Sequence, residues 1–157
     1  MRSLPQIVAV YKEIAGEFQS AHETAKADGD EAQAQRIEEK RVLNDQAWFV
    51  LCWGQLEAEI DEACRLAIAR RKADASWEMR RGFDFYDQDD RRLSGLSFDR
   101  RVAIVLDRNG GEGSPWRMVM SYYETRNRVA HGRLVTTRID VSSVVQDFYV
   151  IQGALSR

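Results

Sequence analysis

Proline occurs only twice in this 157-residue chain, at positions 5 and 115, and each time an apolar helical repeat is about to begin. Proline removes a backbone donor and breaks helix interiors, so its confinement to these places leaves the intervening stretches free to be helical. Runs that alternate apolar and polar residues, the mark of a half-buried strand, are nearly absent. The chain is therefore expected to be all-α and folded as a single domain over residues 1–157.

Periodicity and punctuation place the helices. Ile7, Val10, Tyr11, Ile14 and Phe18 recur at three- and four-residue spacing, giving a first helix from about Leu4 to Asp28 that Asp28-Gly29-Asp30 stops. The next helical region runs from about Glu31 to Lys72. One helix of that length would span about 60 Å, so a break is expected near Asn44-Asp45, where either side chain could cap. Phe49, Trp53, Leu56, Ile60 and Ala67 form its stripe, with Trp48, Phe49, Trp53 and Leu56 as the central core. From Asp74 to Gly95, Arg80-Arg81, Asp89-Asp90 and Arg91-Arg92 alternate in sign around Phe83, Phe85 and Tyr86. This reads as an irregular connection with one short helix. Its basic and aromatic residues either touch RNA or pack a solvated loop.

A short helix follows from Ser97 to Leu106, with Phe98, Val102 and Val105 inward. Asp107 to Gly113 is a glycine-rich loop that lacks the ending of a phosphate loop. Ser114-Pro115 is a strong helix start, with serine as N-cap and proline in the first turn. The penultimate helix then carries Met118, Tyr122, Thr125 and Val129 on one side and stops at Gly132. A last helix from about Asp140 buries Val141, Val144, Val145, Phe148 and Ile151.

Charge narrows the function classes. Residues 1–64 hold 6 basic and 13 acidic side chains, a balance of −7, whereas residues 65–157 hold 17 and 12, a balance of +5. Nineteen of the 23 basic residues are arginine, whose fork grips phosphate and carboxylate in two-point contact. Two readings follow: halves that attract each other, or a C-terminal half that faces nucleic acid. The two cysteines, Cys52 and Cys64, fall in one helix roughly 18 Å apart, so they are expected to be reduced core residues. No metal-ligand cluster and no cofactor is expected. No leader pattern opens the chain, and the longest apolar run, Ala47 to Trp53, is too short for a bilayer. The expected location is the cytoplasm.

The chemistry concentrates in Arg126-Asn127-Arg128-Val129-Ala130-His131-Gly132. Of two histidines, His22 lies among acidic neighbours and reads as a solvated surface residue, which leaves His131. At 100° per residue, with Val129 at zero, Asn127 falls near 160° and His131 near 200°, one turn apart and away from the apolar stripe. Tyr123 falls near 120°, and Arg126 near 60°, from where its long side chain reaches the edge of that face. Cutting RNA without a metal requires the 2′-hydroxyl to lose a proton, the 5′-oxygen to gain one, and phosphate charge to be stabilised. One histidine fills one proton role, and a two-fold dimer would bring a second. Tyr123, Arg128 and Arg133 are the expected RNA contacts.

Arg126-Asn127-x-x-x-His131 on a late helix of a small all-α protein resembles the motif of the HEPN domain, and the form ending in Ala130-His131-Gly132 is similar to that of many prokaryotic members. The specific match covers residues 126–132. The resemblance implies an antiparallel bundle of four to five helices that dimerises through the motif helices, and a metal-independent endoribonuclease leaving 2′,3′-cyclic phosphate ends, often in toxin–antitoxin, phage-defence or RNA-processing systems. It implies Arg126 and His131 as catalytic residues and Asn127 as the polar residue that supports them. A cognate antitoxin or neighbouring gene product would be its partner. Members silenced by nucleotide transfer carry a tyrosine two residues after the histidine. Arg133 stands there, so that regulation is not implied. Glu57 and Glu59 are candidates for the acidic residue other members use. The alternative is an inactive HEPN-like module that binds a protein or nucleic-acid partner.

Overall fold

A computed structural model describes residues 1–83, 93, 95–133 and 138–155. Among these the protein is all-α: α1 (Leu4–Ala27), α2 (Glu31–Lys72), α3 (Trp77–Arg80), α4 (Phe98–Val105), α5 (Pro115–Ala130) and α6 (Val141–Leu155). The number exceeds the four or five expected because α3 has 4 residues and α4 has 8. The motif sits on the penultimate helix. No described helix is long and apolar enough to cross a membrane. The chain divides into two compact units, Met1–Gln55 with Tyr123–Asp147, and Leu56–Tyr122 with Phe148–Arg157. Helices α2, α5 and α6 each give residues to both.

In the first unit, α1 turns back on the start of α2. Gly29 holds φ +73, which glycine adopts without Cβ strain. Gly29 N–H donates to Lys26 and Asp30 N–H to Ala25, closing α1 with a Schellman turn. Asp30 then caps α2 by accepting from Gln33 N–H at 2.9 Å. Ala25 packs with Ala34 and Ile37, Gln19 accepts from Arg41, and Tyr11 donates to Asp45. Partner numbers fall as α1 rises, which is an antiparallel pair. The inward stripe of α1 is Leu4, Tyr11 and Ala25 with half-buried Ile7, Ile14 and Phe18. Val10, expected inward, is 46% exposed because Tyr11 takes the inward register beside it. His22, expected at the surface, is half-buried because its spacing from Phe18 and Ala25 puts it on that stripe.

The expected break in α2 is absent, and one helix runs the whole 42 residues. Asn44 and Asp45 do not cap: Asn44 bonds within the helix, and Asp45 is held by residues of other segments. Asn44 Oδ1 accepts from Trp48 Nε1 at 3.0 Å, four residues on. Asp45 accepts from Tyr11 and from Arg138. Trp48 is half-buried rather than central, its ring tilted at 60° against Tyr11. Phe49, Cys52 and Trp53 are fully buried.

In the second unit, α2 continues its stripe through Leu56, Ile60, Cys64 and Ile68, all at most 2% exposed. Ile68 rather than Ala67 carries the last turn, since four-residue steps from Leu56 land on it. Cys64 and Ile68 cluster with Leu93 and Leu96, and Phe83, Ile104 and Val105 pack on them. Phe98 and Val102 are buried as expected. Replacing a fully buried leucine such as Leu56 by alanine removes about 2–5 kcal/mol through lost transfer energy and a cavity. Burial pushes both cysteine thiols up to about 11, so each is an inert apolar group. Of the 74–95 connection, Phe85, Tyr86, Asp89, Asp90, Arg91 and Arg92 lie outside the described residues.

α5 starts at Ser114-Pro115, where Ser114 carbonyl accepts from Met118 N–H at 3.0 Å. The serine hydroxyl is buried without a hydrogen-bond partner, so only its backbone caps. α6 starts at Asp140, whose carboxylate accepts from the Ser142 and Ser143 N–H groups at 3.0 and 3.1 Å and from the Ser143 hydroxyl at 2.8 Å. Those bonds, the Ser143 hydroxyl first, hold the carboxyl below its ordinary range. Val141, Val144, Val145, Phe148 and Ile151 are all buried, as the sequence predicts.

Candidate functional site

The end of α5 is built by a second glycine turn. Gly132 holds φ +71. Its N–H donates to the Val129 carbonyl at 3.0 Å, and Arg133 N–H donates to the Arg128 carbonyl at 2.9 Å. This pair of bonds is a Schellman closure with His131 as the final half-helical residue. It turns the chain immediately after the histidine and brings Arg133 back toward the last helical turn.

The outcome is a recess of ≈ 220 Å³ lined by Asn127, Arg128, His131 and Arg133. Asn127 and His131 line it together, as expected from their places one turn apart. His131, Arg128 and Arg133 are exposed and Asn127 is half-buried. No carboxylate is among the described lining residues. A pocket for a small organic ligand usually has about 300–1,000 Å³, so this recess suits a smaller group.

Arg126 stands beside the recess but does not line it. Its Nη1 donates to Asn127 Oδ1 at 3.1 Å, and its Nε is buried with no hydrogen-bond partner. Glu124 and Arg128, one turn apart and exposed, mark the outward side of this part of α5. Arg126 lies on the opposite side, where its Nη1 reaches its neighbour's amide. Tyr123 is half-buried, its ring tilted at 33° against Trp53 with centroids 6.1 Å apart. It is not among the recess-lining residues. Glu57 and Glu59 belong to the second unit and do not line the recess either. Glu59 lines that unit's own recess of ≈ 690 Å³, together with Leu66, Arg70 and Ile104.

The first unit holds a second polar cluster that the sequence does not announce. Asp45 is 1% exposed on α2. Its Oδ1 accepts from the Tyr11 hydroxyl at 3.1 Å and its Oδ2 from Arg138 Nε at 2.9 Å. Burial, then the adjacent Asp45 charge and hydrogen bond, push the Tyr11 hydroxyl up to about 12. The one sequence signal for it is an aspartate beside Gln46 at the head of an apolar stripe. Its partner Arg138 is 93 positions away.

Among the described residues no group of three or more His, Cys, Asp or Glu side chains is placed to hold a metal ion. Compared with protein-family models, with curated proteins and with solved structures, the chain gives no match.

Proposed function

We propose that the protein is a metal-independent endoribonuclease whose site is completed when two copies pair through the motif helix. The observation that carries this reading is the recess where Asn127 and His131 meet with Arg128 and Arg133, beside Arg126 bonded to the Asn127 amide. His131 is placed in solvent reach to take or give a proton. The surrounding arginines supply positive charge where a phosphate would gain negative charge. The second proton role falls to His131 of the other copy, because a two-fold interface sets like faces together. The product would be a 2′,3′-cyclic phosphate. The biological setting that fits such an activity is a toxin or defence effector restrained by a partner.

The test is cleavage of total tRNA and a mixed RNA pool in EDTA, with the Arg126→Ala/His131→Ala double variant alongside. Cleavage by the unaltered protein alone, with 2′,3′-cyclic phosphate ends, is the expected result. Intact RNA after incubation with a folded dimer would sink the reading.

A second reading is a non-enzymatic interaction module. It is favoured by Trp77 and Met79, 58% and 42% exposed on α3, with the Arg81 guanidinium 5.3 Å from the Trp77 ring. Aromatic and arginine side chains are the usual anchors of protein interfaces. Under this reading a bound protein partner replaces RNA cleavage as the readout.

A further inference from the structure

Each of the four residues that line the motif recess carries a side-chain hydrogen-bond donor. Arginine carries five N–H donors and no acceptor. Because Arg126 Nη1 meets the Asn127 amide at 3.1 Å, that amide presents its oxygen to Arg126 and leaves its two N–H donors for the recess. Arg128 and Arg133 add two guanidinium groups, and His131 adds a ring N–H. No carboxylate is described there to neutralise them. A recess of ≈ 220 Å³ lined by two arginines, an asparagine and a histidine, with no carboxylate among the described lining residues, suits a compact tetrahedral oxyanion.

We infer that this recess is a one-phosphate site in which Arg128 and Arg133 hold the anion, while Arg126 is a positioning residue that acts through Asn127. Two observations separate the roles. Arg126 does not line the recess, and its buried Nε makes no hydrogen bond. Arg128 and Arg133 are exposed at the recess, locked to each other by the 2.9 Å backbone bond that closes the glycine turn. That bond fixes the spacing of the two guanidinium roots before any ligand arrives, which spares the ligand the cost of ordering them. The identity of the anion as an RNA phosphate rests on the ribonuclease reading, whereas the anion site rests on the donors themselves.

The experiment titrates inorganic phosphate, and separately a 2′-O-methyl dinucleotide that resists cleavage, into the full chain. The His131 ring resonances are followed by NMR, since only two histidines need assigning. Saturable shifts with both probes are expected, weakened at least tenfold in Arg128→Ala/Arg133→Ala and in Asn127→Asp, which turns a donor into a negative acceptor. Arg126→Ala should weaken phosphate binding in the unaltered chain and change nothing further in an Asn127→Ala background. An equal loss in both backgrounds would make Arg126 a direct phosphate ligand and overturn its positioning role. Unchanged binding in Arg128→Ala/Arg133→Ala would overturn the site. Binding of inorganic phosphate without the dinucleotide would overturn RNA as the source of the anion. Phosphate binding as expected with no RNA cleavage in EDTA would remove the ribonuclease reading and leave the recess standing.

Discussion

Two polar clusters in the same unit are built from similar residues and finished in opposite ways. At Asp45 both carboxylate oxygens are matched, by the Tyr11 hydroxyl and by Arg138, and the carboxylate is sealed from solvent. At the motif recess Asn127, Arg128, His131 and Arg133 are gathered without a carboxylate among the described lining residues. A closed cluster locks chain segments together, and a buried charge left without its partner is costly. An open cluster of like donors contributes little to folding and is suited to a ligand. The contrast, in composition and burial, is what sets the recess apart as the candidate site.

Opening the closed cluster should lower stability, whereas emptying the open one should not. Arg138→Ala removes one of two hydrogen bonds to a carboxylate whose side chain is 2% exposed; because the arginine itself is 42% exposed, a loss of about 1–2 kcal/mol is expected, read as a lower urea midpoint. A loss below about 0.5 kcal/mol would remove the contrast. Alkaline unfolding sharpens it next. The Tyr11 hydroxyl titrates at about 12 when folded and at the ordinary 10.0 when unfolded, so the folded chain holds this proton more tightly. Its stabilisation is complete below pH 10 and fades as pH rises through 12, by roughly 2–3 kcal/mol in all. Tyr11→Phe should be less stable at neutral pH and should flatten that alkaline slope. Gly132→Ala should cost roughly 1 kcal/mol, from backbone strain alone, because φ is +71 and nothing lies within 4 Å of the added methyl. It should also disturb the recess that the turn builds. The smallest effect is expected at His131→Ala, within about 0.5 kcal/mol, since the side chain is exposed.

Local features of the fold were legible in the sequence where one element decides them alone. The buried face of α6 follows from five apolar residues at helical spacing, and the turn at Gly132 from a glycine after the last periodic residue. Features decided by distant contacts were not. Asp45, a cap candidate in sequence, is instead held within the helix by Tyr11 and Arg138, 34 and 93 positions away. The serine hydroxyl at position 114 looks like a cap in sequence yet makes no hydrogen bond once buried. At the candidate site, the pairing of Asn127 with His131 could be read from helix angles. The inward turn of Arg126 could not, because an angle of 60° from Val129 leaves a long side chain free to go either way. Its choice of the Asn127 amide is a matter of packing. Arg133 joined the recess through the backbone turn after the helix, which a helical wheel does not represent.

The most direct measurement follows RNA cleavage in EDTA and thermal melting on one preparation of the His131→Ala protein. The account predicts that cleavage disappears while the melting temperature stays within about 2 °C of the unaltered chain. Retained cleavage, or a melting temperature that falls as far as it does for Arg138→Ala, would contradict it.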